Sequence, residues 1–134
     1  MTYHFTKILP VSFEEAIVEV TAALQQEGMG VLTQIDAQKA FLEKLGVEFR
    51  RYTILGACQP RVAYQMIELD AHAGVLFPCN VVVQEHENGQ VEVSAVDPQA
   101  MFAAVANPEA TEIARHASEV LQRVMARLPE AVHV

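Results

Sequence analysis

Basic residues are scarce in this chain. Nine lysines and arginines stand against 17 aspartates and glutamates, a formal charge of −8 over 134 residues. They are scattered, and the only adjacent pair is Arg50-Arg51. Such a surface repels phosphate backbones, so nucleic acid is not an expected partner. Long apolar runs are also missing. The longest uncharged stretch, near Ala71 to Val83, is interrupted by His72, Gly74, Pro78 and Asn80, which argues against a membrane span. The first residues, Met1-Thr2-Tyr3-His4-Phe5-Thr6-Lys7, lack the basic start, apolar centre and cleavage site of a secretory signal. A cytoplasmic protein is the expectation. Cysteine is nearly absent, with Cys58 and Cys79 alone. In a reducing compartment such thiols more often stay free than form a structural disulfide.

The usual signatures of catalysis are missing too. There is no glycine-rich phosphate loop, no Cys-x-x-Cys, no His-x-x-x-His and no His-Glu-x-x-His. The serines, Ser12, Ser94 and Ser118, stand outside any Gly-x-Ser-x-Gly elbow. No cofactor is expected, and the residues alone leave open whether the protein is an enzyme.

What is present is a foldable core. Apolar residues make up 51% of the chain and the mean hydropathy is slightly positive, so disorder is not expected. Residues 1–134 fit a single domain. Tyr3 to Leu9 alternates and predicts a strand, closed by Pro10. Ser12-Phe13-Glu14-Glu15 is a capping box. Phe13, Ala16, Ile17, Val20, Ala23 and Leu24 follow as one apolar stripe, and Gly28 and Gly30 stop the helix. Val31 to Ile35 predicts a second strand. Asp36 caps a short helix, Ala37 to Leu45, whose buried side is expected to be Phe41, Leu42 and Leu45.

Tyr52 to Cys58 predicts the third strand, and Pro60 opens a helix through Glu68. Asn80 to Glu85 and Gln90 to Val96 alternate about His86-Glu87-Asn88-Gly89, a hairpin whose Asn88-Gly89 favours positive φ. Asp97-Pro98 caps a helical turn through Met101 and Phe102. Asn107-Pro108 caps a last helix, with Ile113, Ala117, Val120, Leu121, Val124 and Leu128 inward, ended by Pro129. Five short strands and two long amphipathic helices predict an α+β two-layer sandwich, with the long helices covering one sheet face. The other face is left for solvent, a ligand or a second copy.

The two thiols are the most informative residues. Cys58 ends the third strand, two residues before a helix N-terminus, where free N–H groups and the helix dipole favour a thiolate. Cys79 enters the fourth strand beside Pro78. If those strands are antiparallel neighbours, both thiols sit at one sheet edge; if parallel, they lie at opposite ends. The commonest role of a free cysteine is that of a small hydrophobe. The other readings are a redox pair, with Cys58 attacking and Cys79 resolving, and a soft-metal site with His72 as a further ligand. His4, His86 and His116 are weaker ligand candidates. His86 fits a solvated hairpin position, His116 grazes the core, and His133 belongs to a loose tail. Met66, Met101, Phe77 and Phe102 fit core positions better than a pocket. Asp36 and Asp97 are explained as helix caps.

Four segments, in order, resemble the bacterial and archaeal family known as domain of unknown function 302. They are Gly30-Val31-Leu32-Thr33-Gln34-Ile35-Asp36; Tyr52 to Pro60 with Ala63; Gly74-Val75-Leu76-Phe77-Pro78-Cys79-Asn80-Val81-Val82-Val83; and Asp97-Pro98-Gln99-Ala100-Met101. The family pattern has a leucine where this chain has Phe77, an enlargement expected to narrow a nearby pocket. The resemblance implies a fold like half of the TATA-binding protein, β-α-β(4)-α, with a curved antiparallel sheet and helices on one side. It also implies a homodimer, and places Cys58 and Cys79 on adjacent antiparallel strands. It carries no activity and no catalytic residue. It directs attention to Cys58, Pro60, Pro78, Cys79, Asp97 and Met101 as site residues, and Met66 is added to them from the apolar pattern. The leading expectation is a binding module whose cysteine-lined cleft takes a small apolar or thiol-reactive ligand. A thiol redox, sulfur-handling or soft-metal protein is the alternative, and a structural interaction domain the third reading.

Overall fold

A computed structural model of the chain describes residues 2–130; His133 lies outside them. The elements follow the predicted order. They are β1 (His4–Leu9), α1 (Phe13–Gln26), β2 (Gly30–Asp36), α2 (Ala37–Leu45), β3 (Tyr52–Cys58), α3 (Pro60–Leu69), a 3-10 turn (Ala73–Leu76), β4 (Cys79–Glu85), β5 (Val91–Val96), α4 (Pro98–Met101) and α5 (Pro108–Arg127). The strands form one curved antiparallel sheet in the order β1-β5-β4-β3-β2.

Local chemistry explains the helix starts. Ser12 accepts from the Glu15 N–H, Asp36 from Lys39, Asp97 from Gln99 and Asn107 from Glu109. Each satisfies a donor that the first turn leaves free. The hairpin between β4 and β5 departs in detail from the expected one. Gly89 alone takes positive φ, at +86°. Asn88 instead uses its side chain, whose Oδ1 accepts from the Gln90 N–H at 3.0 Å, the local bond that makes asparagine a turn residue.

The sheet buries one face under α1 and α5. Leu55 and Ala57 of β3, Cys79, Val81 and Val83 of β4, and Val91, Val93 and Ala95 of β5 point inward at period two. They meet Phe13, Ala16, Val20, Ala23 and Leu24 of α1 and Val120, Leu121, Val124 and Met125 of α5. Each fully covered Val or Leu contributes on the order of 2 kcal/mol, so this layer dominates the fold. Polar brackets hold its rim. Glu27, after α1, accepts from Arg123 and Arg127 of α5. Lys7 of β1 donates to the Met125 and Leu128 carbonyls at the end of α5.

The short helix α2 does not bury its stripe as expected. Phe41, Leu42 and Leu45 are 38%, 55% and 69% exposed, and only Ala37 is buried. Amphipathic spacing marks an apolar side, but among the described residues no third layer lies over it. Its packing there is an edge contact of Phe41 with Phe49, ring centroids 5.3 Å apart, and Phe49 in turn meets Tyr52.

Candidate functional site

The sheet register places the two thiols. β3 and β4 are antiparallel neighbours, and Ala57 pairs with Cys79. Paired residues share a face, and successive residues alternate. Cys79 therefore points inward with Ala57, and Cys58, one residue on, points to the opposite face. The thiols share an end of the sheet but not a side of it. Cys79 is sealed in the main core, while Cys58 is half-buried and both are free. Side chains directed apart in this way cannot be bridged without moving backbone, which weighs against the attacking and resolving pair.

Cys58 opens on an apolar cleft of about 330 Å³. Leu32 and Thr33 of β2 form one wall, Ala63 and Ile67 of α3 the second, and Gly74, Phe77 and Pro78 the third. Two local features build it. The first is a bulge in β2, where the register shifts between Val31 and Thr33, so Leu32 is unpaired and 68% exposed. The second is Gly56. A Cβ there would overlap the Thr33 hydroxyl and sit 2.7 Å from Pro78 Cγ. Glycine lets Thr33 and Pro78 close over β3 and so brings two of the cleft walls together. Gly56→Ala is expected to cost about 2 kcal/mol, because a β-branched side chain and a proline ring yield little. Urea unfolding measures it. Thr33→Ala in the same chain is expected to recover part of the loss, a non-additivity that identifies the contact.

The surroundings set the state of the thiols. Burial pushes the Cys58 thiol up, the opposite of the thiolate expected for a cysteine just before a helix. Cys79 rises further, to about 12, through burial first and the charge of Cys58 second. Neither is a thiolate at neutral pH.

The other expected site residues disperse. Pro60 is exposed at the first position of α3. Asp97 caps α4. Met66 is fully buried in a second core cluster, with Ala73, Phe102, Ala110 and Ala114, and Met101 is half-buried between the two clusters. His72 is exposed and bonds Asp70. His116, expected near the core, is exposed on α5. Among the described residues no group of three His, Cys, Asp or Glu side chains gathers to hold a metal. Of the expected set, Cys58 and Pro78 come together; Leu32, Thr33 and Ile67 join them without having been foreseen as site residues. Phe77 both lines the cleft and packs on Phe102, ring centroids 5.2 Å apart.

Two other depressions lie on the uncovered side of the sheet. One, about 370 Å³, runs past Tyr3, His4, Tyr52, Asn80 and Ser94. The other, about 860 Å³, lies beside the hairpin among Glu48, Arg50, His86 and Glu87. A polar chain spans this side: Arg50 donates to Gln84 at 2.9 Å, Gln84 donates to Glu92 at 3.0 Å, and His86 lies 3.6 Å from Glu92. These groups satisfy one another. Among the described residues, the Cys58 cleft alone combines an apolar lining with a free thiol.

The family model described as "Domain of unknown function DUF302" matches residues 5–128. The chain belongs to this family. A crystal structure of an uncharacterized conserved DUF302 protein from Bacillus stearothermophilus superposes with a TM-score of 0.88 at 28% identity, over 96% of this chain and 99% of that one. The DUF302 fold expected from the sequence is thus the fold found. No curated protein matches the chain. No helix among the described residues is long and apolar enough to cross a membrane.

Proposed function

We propose that this DUF302 chain is a binding module whose Cys58 cleft takes a small apolar ligand, with the chain acting as a cytoplasmic homodimer. One observation carries the reading: a free, half-buried thiol forms part of an otherwise apolar wall. A neutral thiol is soft and polarizable, and suits contact with an apolar or aromatic group better than attack. The volume lies at the lower end of the range for small-molecule sites, which favours a compact ligand of one ring or a short branched chain. Two unpaired thiols suit a reducing compartment.

Alkylation kinetics test this. In a Cys79→Ala background, N-phenylmaleimide is expected to modify Cys58 faster than N-ethylmaleimide by about tenfold more than it does with free glutathione, since the cleft holds the ring before reaction. Ile67→Asp, which charges one wall, is expected to abolish the preference. A ratio equal to that of glutathione would sink the binding reading.

A further inference from the structure

We infer that the open side of the Cys58 cleft is closed by β2 of a second copy of this chain, so that each site is built from two subunits. The cleft's role in ligand binding and the homodimer itself belong to the reading above; the surface that pairs, and what it does to the cleft, go beyond it. β2 is an end strand of the sheet. End strands are normally guarded by charge or proline. The other end, β1, carries Lys7 and is closed by Pro10. Between Gly30 and Ile35, β2 carries neither. It exposes Leu32 at 68% and Ile35 at 52%, and beside the same cleft Ile67 is 44% and Val75 86% exposed.

The chemistry of this edge selects its occupant. Two copies of a chain with net charge −8 repel, and can meet only where charge is sparse, as it is along β2. A basic partner would need more acidic groups than this strand offers, since its single carboxylate, Asp36, sits at its end and caps α2. A two-fold contact between identical copies must be its own complement. This edge carries both halves: the cleft is a hollow, and Leu32, thrown outward by the bulge, is a knob beside it. Beyond the bulge, the free N–H and C=O groups of the strand suit an antiparallel copy of themselves. The exposed apolar side chains Phe41, Leu42 and Leu45 of α2 and Tyr64 and Ile67 of α3 add to the apolar surface available for pairing. A small ligand in the cleft would leave Ile35 and Val75 uncovered. In the pair, Leu32 of each copy lies across the mouth of its partner's cleft.

Sedimentation velocity from about 1 to about 100 μM reads the pairing with no ligand present. The wild type is expected to sediment as a dimer, and Leu32→Asp or Ile35→Asp to weaken it by about 100-fold, as for a central apolar contact. Val18→Asp, at a position 66% exposed on α1, is expected to change nothing. Circular dichroism confirms that each variant is folded. In the Cys79→Ala background, iodoacetamide is expected to modify Cys58 about tenfold faster in Ile35→Asp, or on dilution of the otherwise unaltered chain to monomer, because the mouth opens. A monomer at about 100 μM, variants that dimerise like the wild type, or dissociation with no change in Cys58 reactivity would each overturn the proposal. Loss of the phenylmaleimide preference with the dimer intact fails the ligand reading alone.

Discussion

Met66→Ala is expected to destabilise the protein by about 3 kcal/mol, while Met66→Leu costs under about 1.5 kcal/mol. Met66 is fully buried, and its neighbours come from three other segments: Ala73 of the 3-10 turn, Phe102 after α4, and Ala110 and Ala114 of α5, with Leu69, Leu76 and Phe77 at the margin. Three of these neighbours are alanines, which cannot swing inward to refill a vacated space. The cavity therefore persists, and its cost adds to the lost transfer energy. The consequence reaches the cleft. The cluster anchors the turn that carries Gly74 and leads into Phe77, one wall of the Cys58 site. Hydrogen exchange at Ala73–Leu76 is expected to rise in Met66→Ala beyond the global loss of stability. Urea unfolding gives the stability change. A loss under about 1 kcal/mol would mean that the site relaxes, or that the cluster does not hold this end of the sheet.

Met66 also shows what the sequence made legible. Caps and stripes are local, so Ser12, Asp36, Asp97 and Asn107 could be read as helix starts, and the inward faces of α1 and α5 could be read from spacing. Burial is not local. The stripe of α2 has the same signature as a buried one, and only the absence of a covering layer distinguishes it. Met66 falls on a ten-residue helix, too short for its stripe to say which neighbours it will meet. The two cysteines divide the same way. In β4, Asn80 and Gln84 alternate with Val81 and Val83, which puts Cys79 inward on pattern alone. In β3, Ile54 and Leu55 are both apolar, so parity is ambiguous and Cys58 could not be assigned a face. The cleft itself depends on a bulge that no turn residue announces, and on Gly56, whose need is set by Thr33 and Pro78 from two other segments.

Alkaline pH is expected to destabilise the protein through Cys79. Its thiol is held up at about 12, against an ordinary 9.0, so above pH 9 the unfolded chain releases a proton that the native core retains. A group whose pKa is raised on folding contributes stability in full below the unfolded value and loses it as pH rises through the native one. The slope is about −1.4 kcal/mol per pH unit, which gives about 2 kcal/mol lost by pH 10.5 and about 4 kcal/mol by pH 12. Other groups titrate in the same range, so the informative quantity is the difference from Cys79→Ala, which lacks the proton. Urea unfolding from pH 8 to 10.5 is expected to show the wild type falling more steeply than Cys79→Ala, by nearly the full slope above pH 9. Cys58→Ala is expected to flatten the curve much less, because that thiol is only half-buried and its rise is smaller. Parallel curves for wild type and Cys79→Ala would show that Cys79 reaches water in the native state. The register that turns it into the core, one residue out of step with Cys58, would then be wrong, and with it the separation of the two thiols onto opposite faces.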